Sequence, residues 1–263
     1  MESSMADRKT EQAAVLSQRQ LAAGVYDLWL RVSDETAEAA RPGQFVSLYC
    51  ADASRLLPRP ISICEINTDL GALRLVYRVA GAGTKEFSGY KAGDAVRILG
   101  PLGNGYNTDT EKSALLIGGG IGIPPMLELA KQLLVEEKTA VLGYANRETF
   151  LADEMKKHAK VFIATDDGSV GTHGTVLDAI REQEIRAEVI YACGPTPMLR
   201  AVKAYAEEAG IECFLSLEER MACGIGACLG CVCESTQIDG HSHVHNKRIC
   251  KDGPVFRAED VQL

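Results

Sequence analysis

The stretch ALLIGGGIGIPP, residues 114–125, decides how the middle of this chain folds. Ala114–Gly118 is an unbroken apolar run, as expected of a strand buried on both faces of a parallel sheet. The glycines that follow turn the chain tightly, and Pro124 and Pro125 suit the first turn of a helix reaching about Glu137. Gly118, Gly119, Gly120 and Gly122 carry no Cβ, so backbone N–H groups at that helix start are open to a pyrophosphate. Pro125 stands where G-x-G-x-x-G requires its third glycine, so the usual dinucleotide fingerprint is not met.

Working towards the C-terminus, the pattern repeats. Strands are expected at Thr139–Tyr144, Lys160–Thr165 and Glu188–Cys193, with helices at Thr149–Lys157 and near Thr175–Gln183. A last helix is expected to start at Thr196 as N-cap, with Pro197 in its first turn, and to stop at Gly210. Alternating strands and helices predict a doubly wound parallel sheet over residues 109–212. Two further turns, Cys193-Gly194-Pro195 and Asp166-Asp167-Gly168, end strands at the same edge as the glycine run. Ligands bind at the carboxyl edge of such sheets, so together these turns favour a dinucleotide site. Gly118, Gly119, Gly120, Gly122, Cys193, Gly194 and Pro195 are its candidate residues, and a buried small residue is the plain alternative for Cys193.

Working towards the N-terminus, the period changes from helical to two. Leu73, Leu75, Tyr77 and Val79 alternate cleanly; Phe45, Ser47 and Tyr49 alternate with Val46 and Leu48; Val25–Val32 and Ala95–Leu99 complete the short strands. Strands at such intervals predict an antiparallel barrel or sandwich over residues 1–108, behind a polar, frayed start of about ten residues. Pro101–Tyr106 reads as a linker or functional loop. Arg59-Pro60-Ile61-Ser62 offers a fixed cation for phosphate and a hydroxyl for a flavin ring, followed by the Gly-x-Gly turn at Gly81–Thr84.

The tail from Cys213 has no periodicity and cannot bury much apolar surface, so a metal centre would explain its folding. Cys223, Cys228 and Cys231 are spaced C-x4-C-x2-C, with Cys250 nineteen positions later, the plant-type [2Fe–2S] pattern. Gly224, Gly226, Ala227 and Gly230 are small enough to let amides reach sulfur. A structural zinc also accepts four thiolates, though its sites more often pair two C-x2-C knuckles. Cys233 fits neither set and is expected on a neighbouring strand. His241, His243 and His245 are expected as solvated loop residues, since a Rieske centre needs two histidines and four cysteines already suffice.

Composition closes off other classes. With 263 residues, 46% hydrophobic, 24% charged and a net charge of −8, the chain is an ordinary globular protein, unsuited to nucleic acid or an anionic membrane. The charge-free stretch Ser113–Leu127 is too short to span a bilayer. Met1–Lys9 holds no apolar run, so no secretory signal is expected and the cytoplasm is. Nine cysteines in a reducing cytosol imply metal or redox chemistry rather than disulfides.

In this order, RPIS at Arg59–Ser62, VYR at Val76–Arg78, GT at Gly83–Thr84, TDDGSVGTHG at Thr165–Gly174 and ERMACGIGACLGC at Glu219–Cys231 are recognisable. The chain resembles the ferredoxin–NADP reductase superfamily over nearly its whole length. Within it, the chain is most similar to the electron-transfer subunits of NAD-dependent (type B) bacterial dihydroorotate dehydrogenases. The resemblance implies FAD on Arg59, Pro60, Ile61, Ser62, Val76, Tyr77, Arg78, Gly83 and Thr84, and a [2Fe–2S] cluster on Cys223, Cys228, Cys231 and Cys250 of residues 213–263. NAD(H) is the implied substrate, with Ser62 and Cys193 as candidates beside the redox rings. Ile61 stands where plant reductases place a flavin-stacking tyrosine. The implied partner is an FMN-containing dihydroorotate dehydrogenase catalytic subunit, two copies of each chain, with orotate chemistry confined to the partner. Alternatives are the flavin subunit of a sulfide dehydrogenase, an NADH-dependent ferredoxin–NADP oxidoreductase or a hydrogenase, and, from another class, a zinc-stabilised nucleotide-binding regulatory module.

Overall fold

Period-two alternation in the first hundred residues closes into a barrel. The structure is a computed structural model that describes residues 9–238 and 243–263. Strands β1 (Lys9–Ala22), β2 (Val25–Arg31), β3 (Phe45–Leu48), β4 (Arg59–Asn67), β5 (Ala72–Arg78) and β6 (Ala95–Leu102) close in the order β1-β2-β5-β4-β3-β6. Leu28, Leu30, Val46, Leu48, Ile63, Leu73, Leu75, Tyr77 and Ile98 fill the interior. Each fully buried aliphatic side chain stabilises the fold by about 1.5–3 kcal/mol relative to exposure. Phe45 and Ser47 lie on the opposite face of β3 from Val46 and Leu48, as the alternation requires.

Two short helices, α1 (Asp34–Ala39) and α2 (Ala82–Phe87), interrupt the strands. Six residues are too few to show a helical period, so only their caps betray them, such as Ser33 accepting from the Thr36 amide at 3.3 Å. The start expected to fray lies partly outside the described residues, but Lys9 and Thr10 are already in β1, paired with Gly100 and Leu99. Pro101 and Leu102, expected in a linker, complete β6.

The second half is a seven-stranded sheet in the order β10-β9-β8-β7-β11-β12-β15. Its strands are β7 (Ala114–Gly119), β8 (Lys138–Tyr144), β9 (Lys160–Thr165), β10 (Thr172–His173), β11 (Val189–Cys193) and β12 (Glu212–Ser216), all parallel, with β15 (Val255–Arg257) antiparallel at one edge. Every residue of β7 and β11 is buried, the signature of helices on both faces. Those helices are α3 (Ile123–Gln132), α4 (Ala152–Met155), α5 (Val176–Glu182) and α6 (Thr196–Ala209).

Several boundaries differ from the sequence expectation. Helix α3 ends at Gln132 rather than near Glu137, because Leu133 turns extended and the Lys138 ammonium takes the Ala130 and Leu133 carbonyls. Helix α4 keeps four residues of the expected Thr149–Lys157, since Leu151 just before it is left-handed, with φ 65°. Thr196 is the first residue of α6 and not its cap; extended Pro195 occupies the cap, while Gly210 stops the helix in a left-handed conformation as expected. The tail expected to lack periodicity from Cys213 begins inside β12.

The chain forms two compact units. One takes Met1–Gly105, Glu218–Val232 and Arg248–Pro254; the other takes Tyr106–Leu217, Cys233–Lys247 and Val255–Leu263. In the tail, β13 (Val232–Glu234) pairs with β14 (Asn246–Arg248), and α7 (Ile249–Asp252) follows at once. Cys233 sits on β13.

Candidate redox centre and nucleotide sites

From β7 the sheet extends to β8 and β9 on one side and to β11 and β12 on the other. The strand order therefore reverses between β7 and β11, the switch point at which open sheets leave a crevice for ligands. Both glycine-containing turns end at this point. Cys193 pairs with Gly118 across the strands, and a Cβ on Gly122 would run into the Cys193 carbonyl. Glycine at 122 is thus dictated by the approach of the second turn.

Sequence reasoning missed two neighbours of these turns. Met198, in the first turn of α6, lies where a Cβ on either Gly119 or Gly194 would stand. Tyr106, 5% exposed, donates its hydroxyl to the Ala192 carbonyl at 3.3 Å, and burial pushes its phenol well above the usual range. Nothing in the local sequence signals Met198, whereas Tyr106 closes the Pro–Gly–Asn stretch.

In the barrel, Arg59 and Gly83 meet although they lie on different elements. The Arg59 guanidinium occupies the space a Cβ at position 83 would fill, and it donates to the Leu57 carbonyl. Thr84 closes the turn behind it, its hydroxyl accepting from the Ala80 and Gly81 amides at 2.9 and 3.1 Å. A fixed cation beside bare backbone forms a cradle suited to a diphosphate. Pro60 and Ser62 register against Ser47 and Phe45 on β3.

Two of the expected flavin residues send their side chains elsewhere. Ile61 packs against the barrel core. Tyr77 is 1% exposed, stacks on Tyr26 and donates to Gln18 Oε1 at 2.8 Å; burial raises its phenol. Their backbones remain on the strands in question. Val76 is buried beside them and Arg78 is exposed.

All four expected ligand cysteines belong to the barrel's unit. The Cys223 sulfur accepts from the amides of Ile225 at 3.4 Å and Ala227 at 3.3 Å. The Cys250 sulfur accepts from Gly226 at 3.1 Å, and the Cys231 sulfur from Cys250 at 3.4 Å. Burial acts to raise the Cys223 thiol, but the amides and Cys228 outweigh it and bring it down to about 7. Burial pushes the Cys250 thiol up, and its hydrogen bond with Cys231 adds to the effect.

Backbone amides of the loop and of α7 thus converge on the sulfurs of Cys223, Cys231 and Cys250. Four cysteines in one unit, with amides aimed at sulfur, fit a [2Fe–2S] cluster held by four thiolates. Among the described residues, no three His, Cys, Asp or Glu side chains gather as a single-ion site. His243 and His245 are exposed, with the His245 Nδ1 at 3.2 Å from the Ser235 carbonyl; His241 lies outside the described residues. None of the nine cysteines forms a disulfide.

The family model for the iron–sulfur cluster binding domain of dihydroorotate dehydrogenase B matches residues 218–262, and that for an oxidoreductase NAD-binding domain matches residues 116–204. The electron transfer subunit of dihydroorotate dehydrogenase B (NAD(+)) from Listeria monocytogenes is 44% identical over 257 residues, covering 95% of this chain and 97% of its own. The chain belongs to this family of electron-transfer subunits. The dihydroorotate dehydrogenase B electron transfer subunit of Geobacillus sp. is likewise 44% identical, with 97% and 99% covered. Among solved structures, an NADH-dependent reduced ferredoxin–NADP oxidoreductase superposes with a TM-score of 0.83 at 30% identity, covering 95% of this chain and 89% of that one. For an electron-transfer subunit of dihydroorotate dehydrogenase B, a barrel, a nucleotide sheet and a cysteine loop are the expected parts, and all are present.

Proposed function

We propose that this chain carries electrons between NAD(H), FAD and a [2Fe–2S] cluster for a catalytic partner that oxidises dihydroorotate to orotate in pyrimidine biosynthesis. One observation carries the reading: the four candidate cysteines lie in the same unit as the Arg59–Ser62 strand and the Arg59–Gly83 cradle. A flavin between a nicotinamide and a cluster couples two-electron to one-electron chemistry.

The chain's own residues bind and orient. Arg59, Gly83 and Thr84 hold the FAD diphosphate; the outward edge of Pro60 and Ser62, with the backbones of Ile61, Val76, Tyr77 and Arg78, lines the rest of the flavin site. Gly118, Gly119, Gly120, Gly122, Cys193, Gly194 and Pro195 form the NAD(H) crevice at the switch point, with Cys193 and Ser62 nearest the two redox rings. Cys223, Cys228, Cys231 and Cys250 hold the cluster. By cofactor the chain divides into 1–108 for FAD, 109–212 for NAD(H) and 213–263 for the cluster. The partner holds FMN and the orotate site, two copies of each chain assemble, and the complex works in the cytoplasm. No helix among the described residues is long and apolar enough to cross a membrane.

A visible spectrum with metal and flavin analysis is the direct test. FAD together with iron and acid-labile sulfide is expected; a colourless protein with zinc and no flavin overturns the reading. Co-purification supplies the partner. An FMN protein that oxidises dihydroorotate supports the assignment, whereas a ferredoxin–NADP oxidoreductase partner favours the second reading raised by the 0.83 superposition.

A further inference from the structure

Ser47 lies on the outer face of β3, opposite Pro60 of β4 and Leu99 of β6. It is 0% exposed, and its hydroxyl has no hydrogen-bond partner among the described residues. Buried hydroxyls are almost always paired, so an orphan of this kind marks a place where a partner belongs. Its neighbour is the cysteine loop. Gly224, the residue after the ligand Cys223, approaches so closely that a Cβ there would stand 3.2 Å from Ser47 Oγ and 3.2 Å from Leu102. Gly224 has φ +70° as well, so the loop bends its backbone onto the hydroxyl at a position only glycine takes easily.

The amides around the loop are already committed. Ile225 and Ala227 point at the Cys223 sulfur, Gly226 at Cys250 and Cys250 at Cys231. These donors come from the cysteine segments themselves. Ser47 is a rotating O–H donor supplied by the barrel wall instead, on the strand that borders Pro60.

We propose that the Ser47 hydroxyl donates a hydrogen bond to the [2Fe–2S] centre at its Cys223 corner, making Ser47 a positioning residue that raises the cluster's reduction potential. The inference rests on the cluster assignment above. A donor to cluster sulfur favours the reduced, more negative state, so its loss lowers the potential.

The test is an anaerobic redox titration of the full chain with its cofactors, the cluster followed by electron paramagnetic resonance and the flavin by absorbance. In Ser47→Ala the cluster is expected to be about tenfold harder to reduce at a fixed poise, about 59 mV for one electron. The FAD potential and NADH reduction of FAD should stay at wild-type values. Should Ser47→Ala assemble poorly, Ser47→Thr and Ser47→Val have matching shapes, with and without the hydroxyl: a wild-type potential in Thr and a lowered potential or lost cluster in Val supports the proposal. An unchanged cluster potential in Ser47→Ala, equal behaviour of Thr and Val, or a shift confined to the flavin overturns it. A wild-type chain with no [2Fe–2S] signal overturns the functional reading and this proposal together; a normal wild-type cluster indifferent to Ser47 overturns this proposal alone.

Discussion

Cys228 is the exposed member of the four candidate ligands, and its hydrogen bonds help bring the Cys223 thiol down to about 7. Cys228→Ser removes one of the four candidate thiolates while leaving the Arg59–Gly83 cradle and the sheet untouched. The expected result is loss of cluster absorbance with NADH reduction of FAD retained; a normal cluster spectrum would exclude Cys228 as a ligand. A different residue-scale dependence holds the barrel. Arg74 grips Asp27 through two bonds of 2.8 Å, with side chains 3% and 1% exposed, and Glu65 and Arg19 extend the network. Replacing Asp27 takes from the buried Arg74 guanidinium its closest and doubly bonded carboxylate, so Asp27→Ala should cost about 3 kcal/mol. Chemical denaturation would measure it, and a loss below about 1 kcal/mol would place the pair among weak surface bridges. Spacing made the four candidate cysteines legible in the sequence. The Asp27–Arg74 pair was not, because its partners lie 47 positions apart and meet only through strand pairing.

Helix α5 shows how far local chemistry specifies an element. Thr175 accepts from the Asp178 amide at 3.3 Å, and the Asp178 carboxylate accepts from the Thr175 amide and hydroxyl at 2.7 Å each. The sequence expectation of a helix near Thr175–Gln183 matches α5, and the structure shows that this capping box starts it. The Thr175 hydroxyl, then its amide, hold the Asp178 carboxyl below the ordinary carboxylate range. The folded value is depressed, so the box contributes fully above the unfolded value of about 3.9 and is lost as pH falls through the folded one. Thr175→Ala should cost about 1 kcal/mol at neutral pH and flatten this acid dependence, small because Asp178 is solvent-exposed. Thermal melts at neutral and acid pH would show it; equal losses at both would rule out the carboxylate. Elements without such local signals escaped the sequence. β15 is three residues long, and α1 and α2 are single turns and a half among strands. Their existence depends on neighbours remote in sequence, as β15 depends on β12.

At the scale of the whole molecule, the cysteine segments are interleaved with both units. Glu218–Val232 and Arg248–Pro254 join the barrel's unit, while Cys233–Lys247 and Val255–Leu263 join the sheet's. Sequence composition marked this tail as a separate piece because it shows no period; its segments draw their order from the unit each joins and from the amide–sulfur hydrogen bonds. Iron removal should therefore loosen the cysteine loops and leave the barrel and sheet folded. Limited proteolysis of the chelated chain should cut first within 222–232, with far-ultraviolet circular dichroism nearly unchanged; collapse of the whole spectrum would show that the cluster supports both bodies.

The interleaving also sets an order of manufacture. Synthesis runs from the N-terminus, so β1 to β6 and then β7 to β12 are made before Cys223, and Cys250 follows all of them. The fourth candidate ligand is therefore translated long after the Arg59–Gly83 cradle, and cluster assembly is a finishing step performed on a chain whose barrel and sheet strands already exist.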